Sequence, residues 1–379
     1  MGGNGGWPLT EDERYMRMAL EVARLGEGQT SPNPMVGAIV VNGGLVVGQG
    51  AHLMAGTPHA EVHALRMAGD AAKGATLYVT LEPCNHHGRT PPCTDAILAS
   101  GVRRVVVAAL DVDPRTAGLG VKRLQDAGLE VSVGVLEVEA RELNRHFFHR
   151  VETGRPYVVY KVAMTLSGHV AASSGHSQYV TGLAAREDVH RLRQIIPAIG
   201  VGVGTVLTDD PELTARDLAT GTRRDRQPLR VVFDTRLRTP PTARLLTAPG
   251  RTLLLTSERM AFSPAASRLA AQGDVRIVPV PERDGHLDLH AALSAIAAEG
   301  ANALLVEGGP TLASALLQSR LIDEVRVYLA PKLLAGGLPA FAGAFTQSMS
   351  ASVELHGVRS EWVGDDLVLT GRVHYREEV

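Results

Sequence analysis

Strand-like and helix-like patterns alternate along this chain, stop once, and begin again. From residue 36 the order reads hairpin, helix, strand, helix, strand, helix, strand. After a break at Glu152-Thr153-Gly154-Arg155-Pro156, a second alternation opens with the run YVVYKVAM at 157–164. A glycine and a proline directly behind a helical run mark a linker. Alternating strands and helices require a layered α/β sheet rather than a bundle or a β-sandwich. The chain has 379 residues, whereas domains usually hold roughly 100–200. Two domains are therefore expected, residues 1–151 and 152–379.

Composition narrows the functional classes. Hydrophobic residues make up 45% and charged residues 21%, enough for two cores and too apolar for a disordered chain. Thirty-eight basic against forty acidic residues leave a net charge of −2. Binding to nucleic acid or to an anionic membrane would favour a basic excess, so neither partner is expected. Two cysteines cannot build a disulfide scaffold. The start, MGGNGGWPLTEDER, turns acidic where a secretion signal needs an apolar core. The longest uncharged run, 333–353, is interrupted by glycines, a proline and serines, unlike the ~20 apolar residues of a bilayer span. A soluble, cytoplasmic protein is expected.

Local signals place the elements. Thr10 and Glu13 have capping-box spacing, followed by Met16, Ala19, Leu20 and Ala23 at helical periodicity, with Gly26 as the stop. The runs 36–41 and 45–47, joined through Asn42-Gly43-Gly44, form a hairpin pattern. Strands are expected at 76–81, 104–109 and 129–135, and helices at 59–67, 94–99, 121–127 and 137–150. Beyond the linker, strands are expected near 157–164, 198–203, 229–233, 252–255, 275–278, 303–306 and 325–329. Helices are expected at 183–194, 289–298 and 311–317.

Chemistry concentrates in three residues and a carboxylate. His59-Ala60-Glu61 opens a helix, and Pro83-Cys84 follows a strand with Cys93 further on. Zinc takes four tetrahedral ligands, and a catalytic site leaves one position to water. His59, Cys84 and Cys93 supply three positions. A bound ion lowers the pKa of water toward about 7, and Glu61 can carry protons beside it. That combination is the zinc-deaminase pattern H-x-E with P-C-x-x-C, except that eight residues, NHHGRTPP, separate these cysteines. His63 shares helical i, i+4 spacing with His59, but a metalloprotease needs Glu directly after the first His. It reads as an ordinary helix residue. His86, His87 and Arg89 are either a solvated loop or contacts to a phosphorylated substrate. Asn33 sits in a Ser31-Pro32-Asn33-Pro34 turn. In the second half, Gly200-Val-Gly202-Val-Gly204-Thr205 fails the dinucleotide spacing. Glu307-Gly308-Gly309-Pro310-Thr311, lying between a strand and a helix, suits a phosphate at a helix start.

The stretches SPNPMVGAIVV (31–41) and EPCNHHGRTPPCTDAI (82–97) resemble the pyrimidine deaminases of riboflavin biosynthesis. KVAMTLSG (161–168), GTVLTDDPELTAR (204–216), QPLRVVFDTRLRTP (227–240) and EGGPTLASALL (307–317) resemble the reductase half of the bifunctional enzymes of that pathway. The resemblance covers nearly the whole chain. It implies a cytidine-deaminase-like three-layer domain, followed by a dihydrofolate-reductase-like domain using NADPH. It implies zinc on His59, Cys84 and Cys93, Glu61 as the catalytic acid-base, and Asn33 and His52 facing substrate. For the reductase it implies nucleotide contacts at Ala163, Tyr179, Thr205, Asp209, Gly309, Pro310, Thr311, Leu312, Ala313, Ser314 and Ala315. Substrate contacts fall on Ser177, Arg193, Leu213, Arg216 and Glu307, and Lys161 is a candidate proton donor.

The implied substrate is a small phosphorylated pyrimidine, deaminated and then reduced from ribosyl to ribityl, and the family commonly assembles as homo-oligomers. Four positions depart from the family. Ser167 and His169 replace an acid and a base, Tyr179 replaces a tryptophan, and Arg115 replaces an asparagine in the Asp113-Pro114 loop. Three alternatives follow: a deaminase with an inactive reductase half, a nucleic-acid base deaminase, and a zinc-stabilised binding module. Aromatic residues are only 4%, which disfavours the stacking surface that the second requires.

Overall fold

The computed structural model describes residues 9–87, 91–113, 116–343 and 348–376. Arg89 and Arg115 lie outside the described residues. The chain divides into two compact units, Met1–Gly154 and Arg155–Val379.

The first unit opens with helix α1 (Glu11–Ala23), whose capping box is formed. The Thr10 hydroxyl accepts from the Glu13 amide at 3.2 Å, and the Glu13 carboxylate accepts from the Thr10 amide at 2.8 Å. Strands β1 (Gly37–Asn42) and β2 (Leu45–Ala51) are joined by Gly43 and Gly44, at φ 58° and 79°, a left-handed turn that matches strand twist. With β3 (Thr76–Leu81), β4 (Arg104–Ala109) and β5 (Glu130–Val133) they form one sheet in the order β2-β1-β3-β4-β5. The β2-β1 and β1-β3 pairs are antiparallel and the remaining pairs parallel.

The period-two alternation sends Val40, Leu77, Val79, Val105 and Val107 to one face. There they pack on α2 (Ala60–Ala68), α3 (Cys93–Ser100) and α4 (Leu119–Asp126). Ile39, Val41, Tyr78 and Val106 cover the other face against Met16, Ala19, Leu20 and Phe148. The result is helix on sheet on helix. A Cβ at Gly50 would lie 2.4 Å from the Ala60 carbonyl, so only glycine lets α2 settle on β2.

One expected helix is two. The run 137–150 splits into α5 (Glu137–Leu143) and α6 (Arg145–Thr153) at Asn144, whose φ of −107° leaves the helical region. The buried Asn144 amide bonds both the N–H and the C=O of Met35 at 2.8 Å. A long-range backbone clamp thus outweighs helix propagation.

The second unit is built on a nine-stranded sheet. Its order is Val275–Val280, Thr252–Ser257, Leu229–Phe233, Ala198–Gly202, Ala303–Val306, Tyr157–Thr165, Glu324–Ala330, Asp366–His374 and Glu354–Val363. The first seven run parallel and the last two form an antiparallel hairpin. Strands buried on both faces read as continuous apolar runs, which is why 303–306 and 229–233 are legible. The strand Glu354–Val363 is exposed along nearly its whole length, so it carries no apolar alternation and escapes sequence reading. The expected helix at 183–194 forms as α7 (Leu183–Ile195), and residues 203–209 form helix α8 (Val203–Asp209) directly behind the strand Ala198–Gly202. Among the described residues no helix is long and apolar enough to cross a membrane.

Candidate functional site

His59 is the N-cap of α2, Cys84 lies just beyond β3, and Cys93 is the first residue of α3. Their ligand atoms all lie within 4.8 Å of one another. His59 Nδ1 is 3.2 Å from Cys93 Sγ and 3.6 Å from Cys84 Sγ, and the Cys93 amide donates to Cys84 Sγ at 3.3 Å. A hydrogen bond from Cys93, with another from His59, outweighs burial, which acts the other way, and brings the Cys84 thiol down to about 4. The bond to Cys84 holds the His59 imidazole above its ordinary value. One imidazole and two cysteine sulfurs form a donor set that suits zinc.

Glu61 is the second residue of α2, buried at 3% exposure. Burial raises its carboxyl above the ordinary range, and its Oε2 has no hydrogen-bond partner among the described residues. An orphaned, buried oxygen of this kind is unusual in a folded protein, and it marks where a water or substrate group belongs. Glu61 lines a cavity of about 460 Å³ together with His59, Cys84, His52, Asn33, His86 and Asp111. Asn33 Nδ2 lies 3.0 Å from His52 Nε2, so the two expected substrate residues reach the cavity as a joined pair. Burial pushes the His52 imidazole down. His63 does not line this cavity.

Sequence reading passed over Glu82. Its buried carboxylate accepts four backbone amides, those of Asp111, Gly118, Gly120 and Val121, at 2.9–3.2 Å. It therefore caps α4 and ties it to the Pro83-Cys84 segment. No local pattern signals this, because every partner lies about 30 or more positions downstream.

In the second unit the expected residues gather at the carboxyl ends of neighbouring parallel strands, the usual ligand edge of such sheets. Ala163 is near the end of Tyr157–Thr165, Thr205 and Asp209 are on α8 after Ala198–Gly202, and Glu307 to Ala315 follow Ala303–Val306. Gly309 caps the helix Pro310–Gln318 without a side-chain bond, so the first-turn amides remain available to a phosphate. A Cβ on Gly309 would come within 3.8 Å of Thr205 Oγ1, so the two loops meet closely and can cradle a nucleotide.

Arg193 and Glu307 pair through two bonds of 2.8 and 2.9 Å, and Arg193 also donates to the Thr214 carbonyl at 3.0 Å. Lys161 Nζ is 3.9 Å from Glu307. Leu213 is buried beside Thr214. The Arg216 amide donates to His190 Nδ1 at 3.3 Å, and His190 is a further residue that sequence reading missed. Tyr179 is exposed, with the Arg186 guanidinium 4.0 Å over its ring. Lys332 donates to the Tyr179 and Val180 carbonyls at 2.9 and 2.7 Å. Ser177 and Asp209 make no side-chain hydrogen bond among the described residues. Ser167 accepts from the Leu334 amide at 2.9 Å and contacts His169 Nδ1 at 3.2 Å. The Ser167 and His169 side chains thus sit in a closed polar turn.

Fold and site together define a class: a zinc-type pyrimidine deaminase unit joined to a nucleotide-dependent reductase unit. Residues 9–109 match the cytidine and deoxycytidylate deaminase zinc-binding region, and residues 156–369 match the RibD C-terminal domain. The chain belongs to the RibD family of bifunctional riboflavin biosynthesis enzymes, deaminase and reductase in one polypeptide, working with zinc and NADPH. It is 48% identical to riboflavin biosynthesis protein RibD of Escherichia coli over 86% of this chain and 89% of that one. With the Aquifex aeolicus protein it shares 43% identity over 94% and 97% of the two chains. The structure of Acinetobacter baumannii RibD superposes with a TM-score of 0.85 at 38% identity, covering 96% of this chain and 99% of the other. The Thermotoga maritima deaminase/reductase superposes at 0.82 with 35% identity, over 96% and 99%. The mostly parallel sheet with its antiparallel end hairpin is the reductase fold that the resemblance implied.

Proposed function

We propose that the first unit hydrolytically deaminates 2,5-diamino-6-(5-phosphoribosylamino)pyrimidin-4-one, and that the second reduces the ribosyl group of the product to ribityl. The observation that carries the first step is the buried, unpartnered Glu61 Oε2 beside three converging metal ligands. Zinc on His59, Cys84 and Cys93 supplies Lewis-acid activation of water. Glu61 takes a proton from the attacking water and returns one to the departing ammonia, a role suited to a carboxyl raised by burial. Asn33 and His52, which line the same cavity, hold the pyrimidine, and the neutral His52 presents an uncharged hydrogen-bonding edge.

In the second unit NADPH supplies hydride to C1′ of the opened imine form of the sugar. The turn Gly309 to Ala315, with Thr205, Asp209, Ala163 and Tyr179, would hold and orient the nucleotide. Arg216 and Ser177 bind the sugar phosphate, while Leu213 and the Arg193–Glu307 pair shape the pocket wall. Lys161 gives the proton to the imine nitrogen. Burial draws its ammonium down from the usual lysine range while Glu307 supports the charge, and it shares a strand face with Ala163. Both steps run in the cytoplasm, in a homo-oligomer. Supplying the ribosylamino-pyrimidine phosphate with and without NADPH tests the reading. Ammonia and the ribosylamino-uracil are expected without NADPH, and the ribityl product only with it. Ammonia release without any NADPH oxidation would reduce the protein to a deaminase.

A further inference from the structure

The two cysteines are held apart by eight residues where the short deaminase spacing has two. With two intervening residues a tight turn fixes one sulfur relative to the other. With eight, the separation has to be set by contacts from elsewhere in the fold. The amides of Cys93 and Thr94 join the two segments directly, donating to Cys84 Sγ and to the Cys84 carbonyl at 3.3 Å each, and a second set of contacts converges on Arg123 of α4. Its Nη1 donates to Asn85 Oδ1 at 2.8 Å and to Thr94 Oγ1 at 3.0 Å, and its Nη2 donates to Asp95 Oδ1 at 2.6 Å. Thr94 Oγ1 itself bonds Asn85 Oδ1 at 3.0 Å. One guanidinium thus gathers the residue after Cys84 and the two residues after Cys93.

The base from which Arg123 reaches is fixed. The Glu82 carboxylate accepts the α4 amides of Gly120 and Val121, and Gly120 lies so close to Pro83 that a Cβ there would sit 2.0 Å from its carbonyl oxygen. Helix α4 therefore grips the chain on both sides of Cys84: at Glu82-Pro83 through its N-terminus, and at Asn85 through Arg123. The Arg123–Asp95 pair is about two-fifths exposed on each side, and exposed pairs contribute little to stability. Its geometry matters more than its energy. A planar fork reaches three acceptors at once, which a lysine ammonium on a flexible stem does not reproduce.

We propose that Arg123 is a positioning residue for the metal centre, setting the distance between the Cys84 and Cys93 sulfurs and so the affinity and geometry of the zinc site. The proposal rests on the zinc reading of His59, Cys84 and Cys93. Partners one step behind metal ligands typically change affinity 10–100-fold when removed.

The test is a zinc competition titration of the full-length protein against a chromogenic chelator, with cobalt substitution as a second readout. Arg123→Met, which keeps the stem, should weaken zinc binding about 10–100-fold and alter the cobalt–thiolate absorption bands. Arg123→Lys should fall between Met and wild type. Deamination should return in excess zinc, and reductase turnover should stay at the wild-type level as the folding control. Zinc affinity within twofold of wild type in Arg123→Met, with an unchanged cobalt spectrum, would overturn the proposal. Should Arg123→Met fail to fold, Asn85→Ala removes one acceptor of the same fork. A weakened site there supports the assignment, and an unaltered one removes it. Failure of the wild-type protein to bind zinc would instead remove the metal reading itself.

Discussion

Arg193 and Glu307 meet through two nearly parallel hydrogen bonds, 2.8 and 2.9 Å long, across 114 positions of sequence. Both side chains are largely buried, at 14% and 10% exposure. Burial alone would raise the Glu307 carboxyl, but the charge and bonds of Arg193, with help from Lys161, bring it down to about 2. Removing one member of a buried pair leaves the other uncompensated, at a cost of about 3–5 kcal/mol. Glu307→Gln should therefore lower the stability of the reductase unit by about that much in denaturant unfolding, and NADPH-dependent turnover should fall with it. Because the folded value lies below the ordinary 4.5, the pair's contribution is full above that pH and fades as the pH falls toward 2. In the variant this part of the acid-unfolding slope should disappear.

His190 adds a separate, milder pH dependence. Burial, with the nearby charges of Arg193 and Arg216, pushes its imidazole from 6.5 down to about 4. The folded state thus prefers the neutral ring. Its contribution is complete above about 6.5 and declines as the pH drops toward 4. His190→Asn should flatten the stability curve of the reductase unit in that window. Identical curves for wild type and variant would contradict the assignment.

Gly120 permits the contact between α4 and Pro83. A methyl group there would sit 2.0 Å from the Pro83 oxygen, and only a backbone shift relieves it. Gly120→Ala should destabilise the deaminase unit by about 1–3 kcal/mol and accelerate zinc loss, with the reductase reaction unchanged. Thermal unfolding followed by zinc release would show it.

Tyr179, where the resemblance leads one to expect tryptophan, has the Arg186 guanidinium 4.0 Å over its ring. The larger indole face binds a cation more strongly and offers more stacking area. Tyr179→Trp should lower the KM for NADPH by about two- to fivefold, worth about 0.5–1 kcal/mol, with kcat little changed. Nucleotide titration under steady-state conditions decides it.

How legible the molecule is from its sequence depends on how local the determining contacts are. The capping box of α1, the hairpin turn at Gly43-Gly44 and the buried parallel strands all announce themselves within a few residues, and they form as expected. His59, Cys84 and Cys93 are also readable, because metal chemistry restricts which residue types can serve. Asn144, Glu82, Arg123 and His190 are not readable. Each is an ordinary polar residue in its own neighbourhood, and its role is set by backbone or side-chain atoms 26 to 109 positions away. The split of 137–150 into two helices follows from the same cause, since the periodicity is continuous and only the Met35 clamp interrupts it. Helix α8 was hidden by glycines at 202 and 204 that suit a strand end as well as a helix start.

The most direct measurement compares wild type with Glu61→Gln for three quantities in one preparation: bound zinc, ammonia release from the diaminopyrimidine substrate, and NADPH oxidation with the deaminated intermediate supplied. The variant should keep its zinc, lose ammonia release by at least about a hundredfold, and oxidise NADPH at the wild-type rate. Ammonia release at the wild-type rate in Glu61→Gln would contradict the account.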